Sequence, residues 1–128
     1  MTSPEIRLIF CLRRRPELTR EEFQAYWLNR HADIMRRYAP LLNVASYTQL
    51  HTVHVPELSG ISEVRGTPEA FDGVAEACFE TLQSILATRR DPAAAQALKE
   101  LMIDEGKFID FSRSPIFITR AHKVVMEK

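Results

Sequence analysis

Two short segments near the ends of the chain are apolar at nearly every position. They are Ile6 to Leu12, which reads IRLIFCL, and Ile116 to Thr119. Successive side chains of a strand point to opposite faces of a sheet, so each segment would place apolar groups on both faces. Strands of this kind are covered on both sides in folded proteins. The pattern therefore predicts a first and a last strand that are packed on both faces.

The segment after the first strand carries the clearest helix start in the chain. Thr19 can cap a helix with its hydroxyl, and Glu22, three residues later, completes a capping box. Leu18 and Phe23 flank this cap as the two partners of a hydrophobic staple. Large side chains then recur at helical spacing, which predicts one buried stripe on a helix that ends before Pro40. The members of this stripe are Phe23, Trp27, His31, Ile34 and Tyr38.

The middle of the chain alternates between strand-like and irregular patterns. β-Branched and aromatic residues predict a second strand from Ala45 to Val55, and a third, short strand runs from Gly73 to Phe79. Between them the pattern allows a short helix over residues 58–64. Thr67-Pro68-Glu69 is a further plausible helix start, because proline suits the first helical position.

Two helices are predicted between residues 80 and 108. Asp91 caps the second helix, and Gly106 ends it. The predicted order of elements is therefore β-α-β-β-α-β. We find no linker, internal repeat or low-complexity tract, so we expect one domain over residues 1–128.

This order is typical of an α+β, ferredoxin-like fold, in which a four-stranded antiparallel sheet carries both long helices on one face. Such a domain leaves its other sheet face bare. Because the first and last strands are apolar on both faces, a single chain would expose a large apolar patch. A second copy packed sheet to sheet would cover it. We therefore predict a homodimer.

The charge balance limits the possible partners. The chain has 128 residues, 17 basic and 17 acidic side chains, and a pI of about 6.9. This balance gives the protein no overall attraction to nucleic acid or to an anionic membrane. The one dense basic run, Arg13-Arg14-Arg15, is interpreted as a solvated loop. We expect neither a nucleic-acid partner nor a membrane partner.

The cysteines and the N-terminus indicate a cytoplasmic protein. Cys11 and Cys78 lie in apolar segments and form no disulfide or metal-binding pattern, so we expect inert, buried thiols. Residues 1–5 do not resemble the start of a signal peptide. The longest apolar runs are too short to span a membrane.

Four blocks of the sequence, in order along the chain, resemble the EthD family of dimeric α+β-barrel proteins. The first block lies in the first helix and the second in the second strand; the third enters the third strand, and the fourth precedes the last strand. They read Arg15-Pro16-Glu17-Leu18-Thr19-Arg20-Glu21-Glu22-Phe23 with Tyr26-Trp27 and Arg30-His31-Ala32, then Tyr47-Thr48-Gln49-Leu50-His51, then Phe71-Asp72-Gly73-Val74-Ala75-Glu76, and finally Asp104-Glu105 with Phe108-Ile109-Asp110-Phe111.

The resemblance implies several functions rather than one. The protein that names the family accompanies a cytochrome P450 system that degrades a fuel ether, in an auxiliary role. Fungal relatives are dehydratases or decarboxylases of aromatic polyketides that need neither a metal nor an organic cofactor. The wider superfamily includes cofactor-free monooxygenases and lactone isomerases. Since one fold serves many reactions, the resemblance alone does not select among them.

His31 is the foremost candidate for chemistry. It lies on the apolar stripe, where a helix usually places leucine, and a half-buried imidazole with a near-neutral pKa suits acid–base work on an enolisable or phenolic substrate. The alternative is a core histidine whose ring nitrogens are satisfied by backbone or carboxylate partners. Both interpretations stay open at this point.

Other candidates cluster on the second strand. Tyr47, Gln49 and His51 share one strand face and are expected to orient an oxygenated ligand, Tyr47 and His51 as further catalytic residues. The alternative is a polar lining of the dimer interface. Trp27 and Tyr38, on the stripe of His31, are expected to bind the ligand together with Gln49.

The sequence offers no credible cofactor site. His51 and His54 would point to opposite faces of a strand, so one metal ion cannot bind both side chains. No phosphate loop, dinucleotide fingerprint or nucleophile elbow occurs. We therefore expect neither a metal nor an organic cofactor. Asp104 and Glu105 could form an acid pair, but we expect them to anchor a helix end to Arg or Lys neighbours.

Two classes of function remain. One is a cofactor-free lyase, isomerase or monooxygenase that acts on a small hydrophobic or aromatic, polyketide-like molecule in a pocket between the sheet and the first helix. The other is a non-catalytic protein that binds a hydrophobic ligand or assists an oxygenase. A histidine that faces a cavity beside a second titratable group would favour the first class.

Overall fold

Residues 6–126 are described by a computed structural model, in which strands and helices alternate. The strands are β1 (Ile6–Leu12), β2 (Ser46–His51), β3 (Gly73–Phe79) and β4 (Ile116–Arg120). The helices are α1 (Arg20–Tyr26), α2 (Ala32–Tyr38), α3 (Gly60–Glu63), α4 (Leu82–Thr88) and α5 (Pro92–Glu105), with a π-helical turn at Trp27–His31 and 3₁₀ turns at Pro56–Leu58 and Phe111–Arg113. Residues 1–5, on which the expectation of no signal peptide depends, lie outside the described residues. The prediction of one domain over residues 1–128 stays a prediction.

The four strands form one antiparallel sheet in the order β2-β3-β1-β4. This is the ferredoxin-like topology, so the predicted fold class is confirmed. Phe10 and Leu12 of β1 and Ala75 of β3 point to the helix side and belong to the main core cluster. The small alanine lies directly opposite Phe10 in the register, which leaves space above the sheet.

The start of α1 follows the sequence pattern closely. The Thr19 hydroxyl accepts the N–H of Glu22 at 3.1 Å, and the Glu22 carboxylate accepts the N–H of Thr19 at 2.9 Å. The predicted capping box is therefore confirmed. At the starts of α4 and α5 only the N-cap side chain takes part: Thr81 accepts the N–H of Ser84, and Asp91 accepts the N–H of Ala93. As predicted, α5 ends at Gly106.

The π-helical turn moves the buried stripe by one position. The N–H group that follows His31 donates to the carbonyl oxygen of Trp27, five residues before it instead of four. This extra residue rotates α2 relative to α1, so that Met35 is buried while Ile34 and Tyr38 are half-buried. The predicted stripe is thus correct as far as His31 and wrong at Ile34 and Tyr38.

Two other local predictions are wrong. β2 ends at His51 rather than Val55, and the chain between it and β3 is mostly exposed and contains only short helical turns. No helix begins at Thr67 in the described chain, because residues 67–71 follow an irregular path. The helix allowed over 58–64 is present as a short turn of 3₁₀-helix followed by α3.

The arginine run is a solvated loop only at Arg15, which is exposed, whereas Arg13 and Arg14 are partly buried. The backbone N–H and the guanidinium of Arg14 donate to the buried carboxylate of Asp72, at 2.8 and 2.6 Å. Arg20 donates to the same carboxylate at 3.0 Å. The guanidinium of Arg13 lies over the ring of Phe71, 4.3 Å from its centroid. These contacts hold the segment that leads into β3 against the end of β1 and the start of α1.

The sheet face opposite the helices is exposed in the single chain. It carries Ile9, Leu50 and Phe117, of which the last two are 52% and 46% exposed. An ion pair between Arg7 and Glu76, 3.2 Å long, lies on the same face. As predicted for a single chain, this face exposes an apolar patch. The uncovered apolar area is the reason to expect a second copy.

Gly73→Ala is expected to destabilise the protein by about 1–3 kcal/mol, because a methyl group there overpacks the core. An added Cβ would lie 2.4 Å from Cζ3 of Trp27 and 2.9 Å from the carbonyl oxygen of Leu50. Denaturant unfolding followed by tryptophan fluorescence would measure the loss. Gly60→Ala is the control, since its Cβ would meet no atom within 4 Å. Equal stability of the two variants would contradict the close packing of Trp27 on β3.

Candidate functional site

A cavity of about 430 Å³ lies between the inner face of the sheet and the helices. Its walls are mainly apolar side chains of β1, β3, the π-helical turn and α5. Four exposed apolar side chains, each about half exposed, also line it and form its outer rim: Leu98, Met102, Phe111 and Ile116. Four polar side chains line it: His31, Tyr47, Thr88 and Glu105. The cavity can therefore hold a mainly apolar molecule against a few polar groups.

His31 is buried in the cavity wall, and Asp104 fixes the orientation of its imidazole ring. Its Nδ1 lies 2.8 Å from Oδ2 of Asp104. Because an ionised carboxylate can only accept, Nδ1 carries the proton and Nε2 of the neutral ring keeps its lone pair. Burial lowers the pKa of His31, and the contact with Asp104 opposes this shift without cancelling it. The ring is therefore neutral at physiological pH, with a basic nitrogen available.

Asp104 is the residue that positions this imidazole. Besides His31, it accepts the hydroxyl of Tyr26 at 2.6 Å, and Nζ of Lys107 lies 3.6 Å away. Burial acts to raise the pKa of Asp104, but the hydrogen bonds from Tyr26 and His31 outweigh it and leave the pKa lowered. Burial, together with Asp104, raises the pKa of Tyr26 to about 12. The Asp104 carboxylate is thus ionised, and both of its oxygens accept hydrogen bonds from protein side chains.

Glu105 follows Asp104 in the chain but has different surroundings. Its carboxyl lines the cavity, with 19% of the side chain exposed and Oε2 4.0 Å from Nε2 of His31. Burial, assisted by the charge of Asp104, raises the pKa of Glu105 to about 7. The expected anchoring of both acids to basic neighbours is wrong for Glu105 and true of Asp104 only in its contact with Lys107.

The sequence carries one signal for the unusual surroundings of Asp104 and Glu105, namely their position at the C-terminal end of a predicted helix. Two carboxylates at the C-terminal end of a helix oppose the helix dipole, which favours cations there. Such an arrangement is stable only if hydrogen-bond donors or cations stabilise the negative charge, or if the carboxyl group stays protonated. Asp104 meets the first condition through its donors, and Glu105 meets the second by keeping its proton.

Tyr47 lines the same cavity and accepts two hydrogen bonds. Nε1 of Trp27 donates to its hydroxyl at 3.1 Å, and Nε2 of Gln49 lies 3.4 Å from it. Gln49 also donates to the carbonyl oxygen of Trp27 at 3.0 Å, within the π-helical turn. Burial raises the pKa of Tyr47, so its hydroxyl keeps its proton. That proton is free to be donated into the cavity.

The remaining predicted site residues lie outside the cavity lining. The ring of His51 stacks on Trp27 with centroids 4.4 Å apart, and its Nε2 is 2.8 Å from Oε1 of Gln49. Tyr38 donates its hydroxyl to Glu100 on α5. His31, Tyr47 and Trp27 thus meet at the cavity, whereas His51 and Gln49 support Trp27, and Tyr38 lies apart. The catalytic and ligand-binding roles of all six stay predictions.

Among the described residues, neither a cluster of metal-ligating side chains nor a membrane-spanning helix is found. Across residues 6–126, no group of three or more His, Cys, Asp or Glu side chains is placed to hold a metal ion. None of the helices in this range is long and apolar enough to cross a membrane. The absence of a metal or an organic cofactor stays a prediction.

Glu105→Gln is expected to stabilise the folded protein at pH 8 more than at pH 4. The folded carboxyl keeps its proton up to about pH 7, whereas the unfolded chain releases it near pH 4.5. Since the unfolded state binds fewer protons in this window, the wild-type free energy of unfolding falls as the pH rises through it. The loss is on the order of 3 kcal/mol above pH 7 and is absent from the variant.

Urea unfolding of both proteins across this pH range would measure the difference. Glu100→Gln, at an exposed position of the same helix, makes the same chemical change without burial and is the matched control. Parallel stability curves for the wild type and Glu105→Gln would contradict a buried, protonated Glu105.

Comparison with solved structures gives the same fold. The chain is similar to an EthD family protein from Bacillus halodurans C-125, with 18% identity, a TM-score of 0.60, and 92% of this chain and 99% of that chain covered. It is also similar to a hydroxynitrile lyase from Passiflora edulis, with 14% identity, a TM-score of 0.58 and coverage of 97% and 100%. A dimeric ferredoxin-like protein from Thermobifida fusca YX has 11% identity, a TM-score of 0.55 and coverage of 93% and 92%.

Sequence comparison identifies the family. No curated protein sequence matches the chain significantly. The family model of the EthD domain matches residues 15–112, which include the π-helical turn, β2, β3 and the Asp104-Glu105 pair. Because this match spans most of the chain and contains all four blocks that resemble the family, the chain belongs to the EthD family.

Proposed function

We propose that this protein binds a small hydrophobic or aromatic, polyketide-like molecule in the 430 Å³ cavity and catalyses lyase or isomerase chemistry on it by acid–base steps. The observation that carries this proposal is the orientation of His31. Asp104 holds Nδ1, and the opposite nitrogen carries a lone pair beside an apolar cavity. A fixed base beside a mainly apolar cavity suits proton abstraction from a weakly acidic substrate.

Tyr47 is the second proposed catalytic group. Its hydroxyl accepts hydrogen bonds from Trp27 and Gln49, so its own proton is directed elsewhere. A carbonyl or hydroxyl oxygen of the substrate is a suitable acceptor. We propose that Tyr47 orients the substrate by this bond. Gln49 and His51 act indirectly, by holding Trp27 and Tyr47 in place.

The proposed reaction needs no bound cofactor. Proton transfer between carbon, oxygen and nitrogen moves no electrons to an external acceptor, so acid and base side chains suffice. The hydroxynitrile lyase from Passiflora edulis, which has the same fold, supports lyase chemistry on this scaffold. The family match supports a ligand-binding or catalytic role in general.

A non-catalytic role is the second candidate. The rim of the cavity carries four apolar side chains that are each about half exposed, which suits a protein that takes up a hydrophobic molecule and releases it unchanged. Such a protein would assist a separate oxygenase. It would bind ligand without chemical turnover, and the following test separates the two candidates.

His31→Gln is expected to abolish catalysis while it preserves the fold. The probe is 2-tetralone, an uncharged aromatic ketone with exchangeable hydrogens beside its carbonyl group. We expect the wild type to accelerate hydrogen–deuterium exchange at this carbon, measured by NMR in D₂O, and the variant to lose at least about 100-fold of this rate. The glutamine amide can still donate to Asp104, so the melting temperature should change little.

Trp27 allows binding to be measured separately. It is the single tryptophan of the chain and lines the cavity, so its fluorescence reports on a bound ligand. His31→Leu is a structural control that deprives buried Asp104 of a donor and should lower the melting temperature. Binding of 2-tetralone with no exchange above background would favour the non-catalytic role. A His31→Gln variant as active as the wild type would remove His31 from the mechanism.

We also propose a homodimer formed sheet to sheet and located in the cytoplasm. The half-exposed Leu50 and Phe117 on the outer sheet face support a dimer, as does the related Thermobifida fusca protein, which is dimeric. An interface of this type buries about 800 Å² or more of each partner. The free thiols of Cys11 and Cys78 suit a reducing compartment.

Size-exclusion chromatography with light scattering is expected to give a dimer at micromolar concentration. Leu50→Glu should shift it to monomer, because it places a charge in the apolar interface. Leu86→Glu is the matched control: this leucine is 42% exposed but lies on α4, on the opposite side of the sheet. A monodisperse wild-type monomer would refute the proposal.

A further inference from the structure

Glu105 is the one acidic side chain in the cavity lining, and no described residue occupies its hydrogen-bonding capacity. Within residues 6–126 its carboxyl makes an electrostatic contact with His31, at 4.0 Å, and no hydrogen bond. Asp104, the preceding residue, is engaged by Tyr26 and His31. Adjacent helical residues point about 100° apart, which explains how one carboxylate serves the protein and the other faces the cavity.

The distance between Glu105 and His31 suits a shared ligand atom. At 4.0 Å, Oε2 and Nε2 are too far apart to bond to each other directly. An oxygen atom placed between them can lie about 2.8 Å from both, the ordinary hydrogen-bond length. Alternatively, of two neighbouring ligand atoms, one can contact the Glu105 carboxyl and the other Nε2 of His31. The pair therefore presents a donor and an acceptor to one small region of a ligand.

The charges around the cavity disfavour an anionic ligand. Among the residues that line it there is no arginine or lysine. The titratable groups that face Glu105 are His31, Asp104 and Tyr47. Of these, Asp104 is an anion and the other two are neutral. A ligand carboxylate would find no cation and would be repelled, whereas an uncharged carbonyl oxygen would accept the Glu105 proton.

We propose that Glu105 is a further catalytic residue, the proton donor to the oxygen of an uncharged carbonyl compound, with His31 as the matching base. This inference rests on the proposed function and adds the acid and the substrate class. Its support is geometric: the free carboxyl, the 4.0 Å spacing and the lack of cationic side chains in the cavity wall. Burial, which keeps the carboxyl protonated to about pH 7 by raising its pKa, agrees with it.

The step balances without a further reactant. Nε2 of His31 takes the proton from the carbon beside the carbonyl group, and the released electron pair forms a carbon–carbon double bond. The carbonyl π pair moves to oxygen, which takes the proton of Glu105 and gives an enol. His31 is then a cation and Glu105 an anion, 4.0 Å apart. One proton passes from His31 to Glu105 through an oxygen atom that lies between them, either the product hydroxyl or a water molecule, and this restores the starting state.

Glu105→Gln tests the catalytic role. The amide still donates a hydrogen bond but cannot transfer a proton, so 2-tetralone exchange should fall about 100-fold while its binding, measured by Trp27 fluorescence, changes less than about 3-fold. The wild-type rate should also fall above about pH 7, where Glu105 ionises, and the variant should lack this fall. Glu100→Gln on the exposed side of α5 should behave as the wild type.

The charge of the ligand gives an independent test. We expect 2-tetralone to bind at least about 10-fold tighter than 1,2,3,4-tetrahydro-2-naphthoate, a carboxylate with the same bicyclic body, at pH 8. Equal or tighter binding of the carboxylate would overturn the substrate class.

The outcomes separate this inference from the proposed function. If His31→Gln loses exchange while Glu105→Gln keeps the wild-type rate and pH profile, the role of Glu105 is wrong and the proposed function stands. If the wild type shows no exchange, the proposed function fails and the catalytic role of Glu105 fails with it.

Discussion

The buried hydrogen bond between His31 and Asp104 is the constraint on which the site depends. It joins the π-helical turn to the end of α5, two elements that are distant in sequence. An ionised aspartate in a protein interior must be fully hydrogen-bonded, and Tyr26 supplies the second strong donor. The same bond decides which nitrogen of the imidazole carries the proton. The position and the tautomer of His31 therefore have one physical origin.

A second buried aspartate, Asp72, plays a comparable part at the opposite end of the helix. It gathers Arg14 and Arg20, so that the end of β1, the start of α1 and the entry to β3 are held together. The first helical segment is thus fixed to the rest of the protein near its start, through Arg20, and at the end of its π-helical turn, through His31. That turn directs Trp27 and His31 to the same cavity. The site is thus supported by two buried aspartates, Asp72 and Asp104, whose carboxylates are hydrogen-bonded within the protein.

The chemical character of the cavity follows from how unevenly polar groups are distributed. Apolar side chains of the sheet and of α5 surround both groups. Burial, with the charge of Asp104, raises the pKa of Glu105 to about 7, and burial lowers the pKa of His31. An acid and a base can coexist so close together because neither is charged before reaction. In water the same two side chains would exchange a proton and form an ion pair. Burial is therefore the condition for acid–base chemistry at this site.

The sequence by itself determined the element order, the caps at Thr19 and Asp91, the ferredoxin-like sheet and the presence of His31 on a buried stripe. These features depend on spacing between near neighbours, which can be read along the chain. Only the tertiary structure decided the rotation of α2 after the π-helical turn, the partner of His31 and the contrast between Asp104 and Glu105. Their causes lie in groups far apart in sequence: a carboxylate on α5 meets an imidazole 73 residues earlier only when the helices pack. Hydrophobic periodicity indicates which face of a helix is buried, but it does not indicate which polar side chain of another element contacts that face.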